Sequence, residues 1–251
     1  MYVYRKNEVR PNLIIFAEQN EPLYERTGRT PHLNSMALVI GESAAAMVDT
    51  GIGRGDLRAA ISEYTELPIT VICTHADGDH IGTNHLFDNI YMSNLDDPMV
   101  QNPFPHKDIK DGDSFDLGGI VLEAIALPGH SLGSFCFFDR ANNELFTGDG
   151  VNKLPWLFLE RCTVLSEYLD SLNRLRDITS SQPDIYCGHS LTAFPYQVLL
   201  DSIQACEEVI AGKRENDLPY FMPFGPDTPI MPDVFEHQVG EVHLIYNSRR
   251  L

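Results

Sequence analysis

A chain of 251 residues, 43% hydrophobic and 22% charged, is long enough to bury a sizeable core as one large domain or two small ones. Its formal net charge of -18 argues against a nucleic-acid substrate, which needs clustered Lys and Arg, and against docking on an anionic membrane surface. The five cysteines are odd in number, widely spaced and without a CxxC pair, so reduced thiols are expected rather than a disulfide framework. Cys73 and Cys187 end apolar runs and read as small buried hydrophobes. The N-terminus lacks the apolar stretch of a signal peptide and no segment reaches transmembrane length, so a cytoplasmic protein is expected.

Taken in order, Leu13-Ile14-Ile15-Phe16-Ala17 reads as a strand, and Glu18 to Pro31, with Pro22 and Gly28, as a polar loop. Two strands, 36–40 and 45–49, flank a turn at Gly41-Glu42-Ser43, and the second runs into Gly51-Ile52-Gly53-Arg54-Gly55. That loop lacks the Lys-Ser/Thr of a nucleotide P-loop and the GxGxxG spacing, so a plain turn suits it better than a phosphate cradle. Asp56 can cap a helix with Leu57, Ala60, Ile61 and Tyr64 on one face. Ile69 to Cys73 is a buried strand, followed by a polar loop and a short helix over 81–88. Residues 89–112, with Pro98, Pro103 and Pro105, read as irregular. A strand over 120–126 precedes a hairpin whose arms, 134–138 and 144–147, turn at Ala141-Asn142-Asn143. Leu165, Tyr168, Leu169, Leu172, Leu175 and Ile178 recur at helical spacing. A strand over 184–187 leads to a longer helix that buries Val198, Leu199, Ile203, Cys206, Val209 and Ile210 and closes at Gly212. Residues 217–233 are rich in Pro and aromatics, and a strand over 241–246 ends the chain. No low-complexity linker or repeat divides it. One layered α/β domain over 1–251 is expected, with 213–251 supplying a Pro-rich lid or arm and the terminal strand.

The loop after 69–73 places four metal-capable side chains, His75, Asp77, Asp79 and His80, within six residues. Imidazole nitrogen and carboxylate oxygen are ligands for zinc, iron or manganese. The loop leaves the C-terminal edge of its strand, where open α/β sheets place ligand sites. Four other strand ends put a polar residue beside glycine: Asp49-Thr50-Gly51, Pro128-Gly129-His130-Ser131, Thr147-Gly148-Asp149-Gly150 and Cys187-Gly188-His189-Ser190. The glycines let backbone turn sharply and approach a ligand closely. His85, His106, His237 and His243 read as surface or satisfied histidines, and His32 as a residue that could line the cleft.

The order His-x-Asp-x-Asp-His, followed by His130, Asp149 and His189, resembles the metal-binding pattern of the metallo-β-lactamase superfamily, from the Asp49 loop to His189. The resemblance implies an αββα sandwich with two metals at one edge between the sheets. It implies that His75, Asp77 and His130 hold the first metal, that Asp79, His80 and His189 hold the second, and that Asp149 bridges them together with a water or hydroxide. Asp49 would orient the loop or a ligand histidine. The chain departs from the pattern at Asp77, where the family usually has His. Two divalent ions against Asp77, Asp79, Asp149 and a hydroxide leave the ligand set neutral, where the usual His would leave it positive. Harder oxygen ligands move the preference toward iron or manganese. The flavodiiron oxygen and nitric-oxide reductases resemble this pattern with Glu at that place, but they carry a flavin-binding domain for which this chain has no room.

What the resemblance implies is a dinuclear metallo-hydrolase holding two divalent metal ions, zinc first, iron or manganese second. A bridging hydroxide would attack an ester, lactone, thioester or similar small molecule, with Asp79 steering it and receiving a proton. Val151 to Cys162, with Trp156, Leu157, Phe158 and Leu159, is a candidate apolar pocket wall; core packing is the equal alternative. The stretch 217–233, with Phe221, Met222, Phe224 and Met231, is a candidate lid or dimer arm, or a loop packed on its own domain. A neutral or apolar substrate suits these segments, with no nucleic-acid or membrane partner and a homodimer allowed. Two other classes stay open: an iron-bound redox or oxygen-sensing protein on the same ligands, and a non-catalytic metal-binding regulator.

Overall fold

In the computed structural model, which describes residues 3–19, 33–221 and 231–251, β-branched and aromatic runs become strands stacked so that both faces of the central ones are buried. The strands are β1 (Arg5–Arg10), β2 (Leu13–Gln19), β3 (Leu33–Ile40), β4 (Ala45–Val48), β5 (Ile69–Ile72), β6 (Ile90–Met92), β7 (Lys107–Asp108), β8 (Ser114–Asp116), β9 (Val121–Ala126), β10 (Phe135–Asp139), β11 (Glu144–Gly148), β12 (Trp156–Leu157), β13 (Asp184–Cys187), β14 (Leu218–Pro219), β15 (Val234–Val239) and β16 (Val242–Asn247). The α-helices are α1 (Leu57–Ile61), α2 (Leu165–Ile178) and α3 (Gln197–Ile210). A seven-stranded sheet has the order β1-β2-β3-β4-β5-β6-β7, a five-stranded sheet β13-β11-β10-β9-β8, and a four-stranded sheet β12-β16-β15-β14.

Alternation along each strand explains the layers. Leu13 and Ile15 of β2 face Phe135 and Phe137 of β10 across the space between the two larger sheets, with Val39, Ile72, Leu122 and Phe146. Ile14 and Phe16 point the other way, into a cluster with Leu57, Ala60 and Ile61 of α1. Cys136 and Phe138 likewise point outward, under Tyr168 and Leu172 of α2 and Leu199 and Ile203 of α3. The result is an αββα sandwich. All five cysteines are buried and unpaired, so they fill core volume as expected for Cys73 and Cys187. No helix among the described residues is long and apolar enough to cross a membrane.

The topology aligns the strand ends that matter. β4 and β5 are parallel, and so are β11 and β13, while β9 shares their direction because β10 runs antiparallel to both β9 and β11. Backbone hydrogen bonds then stitch the two sheets at this edge: Ser35 N–H to Gly188 O at 2.7 Å and Phe135 N–H to Thr74 O at 2.7 Å.

Several expectations change. The helix over 81–88 shrinks to a single 3₁₀ turn at Asn84–Leu86. Its polar groups are committed elsewhere: Gly82 N–H to Gly51 O at 2.7 Å, the Thr83 hydroxyl to Thr50 O at 2.8 Å and the Thr50 hydroxyl to Asn84 Oδ1 at 2.7 Å. The stretch read as irregular holds β6, a 3₁₀ segment over Asn94–Met99 and β7. Strands β1 and β15 have no clean alternation and β8, only three residues long, is too short to show one; β1 is a polar edge strand held by β2. Glu18 does not open a loop but lies within β2, one residue before its end, fully buried. Its carboxylate accepts the N–H groups of Ile52 at 2.6 Å, Gly53 at 3.2 Å and Arg54 at 2.7 Å. The amides of the glycine loop are therefore capped from within the chain, which disposes of the phosphate-cradle alternative. Of the expected lid, Tyr220 bonds through its N–H to Val234 O at 3.0 Å and packs with Phe158, so this part lies on its own domain. Met222 and Phe224 lie outside the described residues, as does His32.

Glu18→Ala would strip three amides of one charged acceptor and is expected to cost about 2–4 kcal/mol of unfolding free energy, read by urea denaturation. A cost below about 0.5 kcal/mol would mean that water replaces the carboxylate without loss.

Candidate metal centre

Asp49 directly follows β4 with a left-handed φ of 61°, a conformation that Asp adopts more readily than most residues. The turn aims its buried carboxylate at the end of β5. Oδ1 accepts the Thr74 N–H at 2.7 Å, and Oδ2 accepts the Thr74 hydroxyl at 2.7 Å and the His80 Nδ1–H at 2.8 Å. With its proton given to Asp49, the Thr74 hydroxyl oxygen accepts from His75 Nδ1 at 3.0 Å. His130 Nδ1 donates to Trp156 O at 3.0 Å, and His189 Nδ1 to Leu33 O at 2.7 Å. All four imidazoles are thus fixed through Nδ1 on an oxygen, and all four present Nε2 inward.

The inward atoms form overlapping groups. His75, Asp77 and His130 make one, Asp79, His80 and His189 a second, and His75, His80 and Asp149 a third; ligand atoms within each lie within 4.8 Å of one another. Asp77 Oδ2 is 3.1 Å from His130 Nε2 and 3.6 Å from His75 Nε2. Asp149 Oδ1 is 2.9 Å from His189 Nε2 and 3.8 Å from His80 Nε2, while Oδ2 is 3.9 Å from His130 Nε2. Asp149 therefore faces both of the first two groups. The structure brings together all seven side chains that the sequence singled out.

Chemistry says what such a cluster can hold. The Nε2 atoms of His75 and His80 are buried and make no hydrogen bond. Buried nitrogens without partners are costly unless something else engages them. Burial opposes charge on Asp149, yet the imidazoles of His189, His80 and His130 hold its carboxyl well below the usual range. The same burial opposes charge on His80, but Asp49 and Asp149 push it up to about 10. The cluster gathers positive charge around its carboxylates, and neutral imidazole plus carboxylate is a donor set suited to divalent zinc, iron or manganese.

Close approach is built into the backbone. A Cβ at Gly188 would stand 2.4 Å from His80 Cε1, so no other residue allows β13 to end this near the ring. Gly148 combines a φ of 52° with a position where Cβ would stand 2.2 Å from the Thr74 hydroxyl.

Three contributors carried no signal in the sequence. Asn34, fully buried on β3, donates from Nδ2 to Asp79 Oδ2 at 2.5 Å. Asp96, buried in the stretch read as irregular, accepts from Ala76 N–H at 3.2 Å, the Ser131 hydroxyl at 2.7 Å and Gly133 N–H at 2.8 Å, tying the central loop to the His130 loop. Arg161 donates from Nη2 to Asp77 Oδ2, and the same nitrogen lies 3.3 Å from His130 Nε2. The candidate apolar wall divides: Leu157 and Phe158 are core, Trp156 is partly exposed, and the segment delivers a guanidinium to the cluster. His85 is exposed, and His106, His237 and His243 pair with Asp97, Asp217 and Glu236 away from the cluster.

Comparison with known proteins gives a consistent picture. The family model described as the metallo-beta-lactamase superfamily matches residues 29–189. The acyl-coenzyme A thioesterase MBLAC2 of Homo sapiens is 25% identical over 63% of this chain and 71% of its own length. The lactamase-like protein adaB of Aspergillus niger is 32% identical over 53% of this chain, which spans only 42% of that protein. Among solved structures, the DIM-1 metallo-beta-lactamase superposes with a TM-score of 0.67 at 15% identity, covering 82% of this chain and 97% of that one. A metallo-beta-lactamase from Pontibacter korlensis gives 0.67 at 16% identity over 82% and 99%. At such identities these two likenesses concern the fold alone.

Gly188→Ala pushes a methyl group against the His80 ring and is expected to weaken divalent-cation binding about tenfold or more while the chain still folds. Zinc titration of the chelator-stripped variant checks this; unchanged affinity would mean that the ring tolerates displacement.

Proposed function

The chain belongs to the metallo-β-lactamase superfamily, and on that premise we propose that it is a metal-dependent hydrolase of a small ester-type substrate, a thioester first. The observation that carries the reading is the convergence of four inward Nε2 atoms and three carboxylates, two of those nitrogens buried without a hydrogen bond. His75, Asp77 and His130 would hold one divalent cation, Asp79, His80 and His189 a second, with Asp149 shared. Such a pair, when bound, polarises a carbonyl oxygen and activates water at neutral pH. The thioester preference rests on the likeness to the human acyl-coenzyme A thioesterase, of whose length the matched region spans 71%.

The remaining work falls to this chain's own groups. Burial disfavours charge on Asp79, but the imidazoles of His80 and His189 hold its carboxyl below the ordinary range, so it is ionised at neutral pH. Asn34 fixes Oδ2, which leaves Oδ1 as the atom that orients a water and receives its proton. Asp49 and Thr74 lock His75 and His80, so turnover meets a rigid frame. Asp96 holds the two loops that carry Asp77 and His130 in register. Arg161 brings a cation beside the cluster, but its charge is taken up by Asp77, so a neutral or apolar substrate stays part of this reading.

Elemental analysis of the purified protein, joined to a panel of thioesters, esters and lactones, tests the reading. Two equivalents of divalent metal at saturation and turnover of a thioester are expected. Asp149→Ala is expected to lose at least one equivalent and roughly 100-fold or more in turnover, and His80→Ala one equivalent. Metal content and turnover unchanged in Asp149→Ala would overturn it. Stoichiometric iron with a visible absorption band and no hydrolysis would favour the redox alternative, for which the oxygen donor Asp77 is the supporting feature.

A further inference from the structure

Arg161 makes an ion pair with one of the seven clustered side chains, and among the described residues no Lys pairs with any of them. The backbone that carries it is held by the fold. The loop after β12 is pinned on both sides of it: Arg250 donates from Nη1 to Leu159 O at 2.6 Å and from Nη2 to Cys162 O, and Leu165 N–H donates to Arg250 O at 2.9 Å. Leu159 O also accepts the Cys162 N–H at 3.0 Å, which closes a turn around Arg161. The guanidinium that emerges touches two atoms through a single nitrogen. Nη2 donates to Asp77 Oδ2 and lies 3.3 Å from His130 Nε2. Those are the very atoms that, with His75, would hold the first cation. The second group, Asp79, His80 and His189, has no such neighbour among the described residues.

A guanidinium differs from a protonated imidazole in one decisive respect: it does not deprotonate in proteins, so a cation arriving at the first group meets a fixed positive charge that no pH change removes. The same group shares the Asp77 oxygen and so weakens it as a donor. Arg161 also accounts for the departure at Asp77. Three carboxylates with Arg161 carry the same net charge as two carboxylates with a histidine at 77.

We propose that Arg161 is a built-in competitor at the first cation position, which renders the two positions unequal: the Asp79, His80 and His189 group fills first, and the Asp77 group fills with lower affinity. The inference rests on the metal-site reading given above. It adds which position is weak and which residue makes it so. Arg161 is a positioning residue acting through Asp77.

The test is a titration of the full chain, stripped with chelator and reloaded with zinc against a chromogenic competitor, read as two stepwise dissociation constants. Wild type is expected to show steps at least about tenfold apart, and Arg161→Met, which keeps the apolar stem, to tighten the weaker step about tenfold with the tighter step within about twofold. Arg161→Lys, which keeps the charge, is expected to leave the weaker step weak. Arg161→Gln is the second neutral variant, and circular dichroism melts confirm that each variant folds. A weaker step that loosens or stays fixed in both neutral variants overturns the inference while leaving the metal site intact. A wild-type chain that takes up no zinc, iron or manganese overturns the metal-site reading itself.

Discussion

The Asp49 carboxylate accepts hydrogen bonds from the Thr74 backbone, the Thr74 hydroxyl and the His80 ring, and the geometry of the cluster descends from that arrangement. One charged group, aimed by a left-handed turn at the end of β4, fixes the adjacent strand end and through it two imidazoles. A left-handed residue costs roughly 1–2 kcal/mol, which three hydrogen bonds to a buried charge offset. The opposite sheet is secured by simpler means: His130 and His189 donate to backbone carbonyls, so their orientation depends on strand ends rather than on rotamers. Glycine completes the arrangement where β13 meets the His80 ring. Parallel pairing of β4 with β5 and of β11 with β13 brings these pieces to one edge, and the interlocked core between the sheets prevents their drifting apart.

The clustered side chains were legible in the sequence as candidates because they stand at strand ends next to residues with distinctive local behaviour. Apolar runs such as Ile69 to Ile72 and Phe135 to Phe138 announce strands, and the polar residue that follows is then at an edge. Helices α2 and α3 were equally legible, since fourteen residues each give periodicity room to show. What was not legible depends on partners far along the chain. Asp96 meets Gly133 from 37 residues away, and Arg161 meets Asp77 from 84 residues away; neither stretch has a local pattern that says so. The helix over 81–88 failed for a related reason: Thr83 and Asn84 bond to the Thr50 turn instead of to their own backbone. Strand β1 was missed because an edge strand buries no continuous face.

The Asp77 substitution and Arg161 belong together. Taken alone, a carboxylate for an imidazole makes the ligand set more negative and moves its preference toward harder metals. Taken with the guanidinium, the overall charge returns to that of the commoner pattern, while the two halves of the cluster become chemically distinct. On the proposal above, the Asp79, His80 and His189 group is the tighter of two cation positions and the Asp77 group the looser one.

X-ray absorption on protein loaded with zinc to saturation tests the central claim most directly. Seven side chains around one pair of cations predict a metal–metal vector near 3.5–4 Å and nitrogen or oxygen donors near 2.0–2.2 Å. Spectra without a metal–metal vector, or with sulfur at about 2.3 Å from one of the buried cysteines, would contradict it.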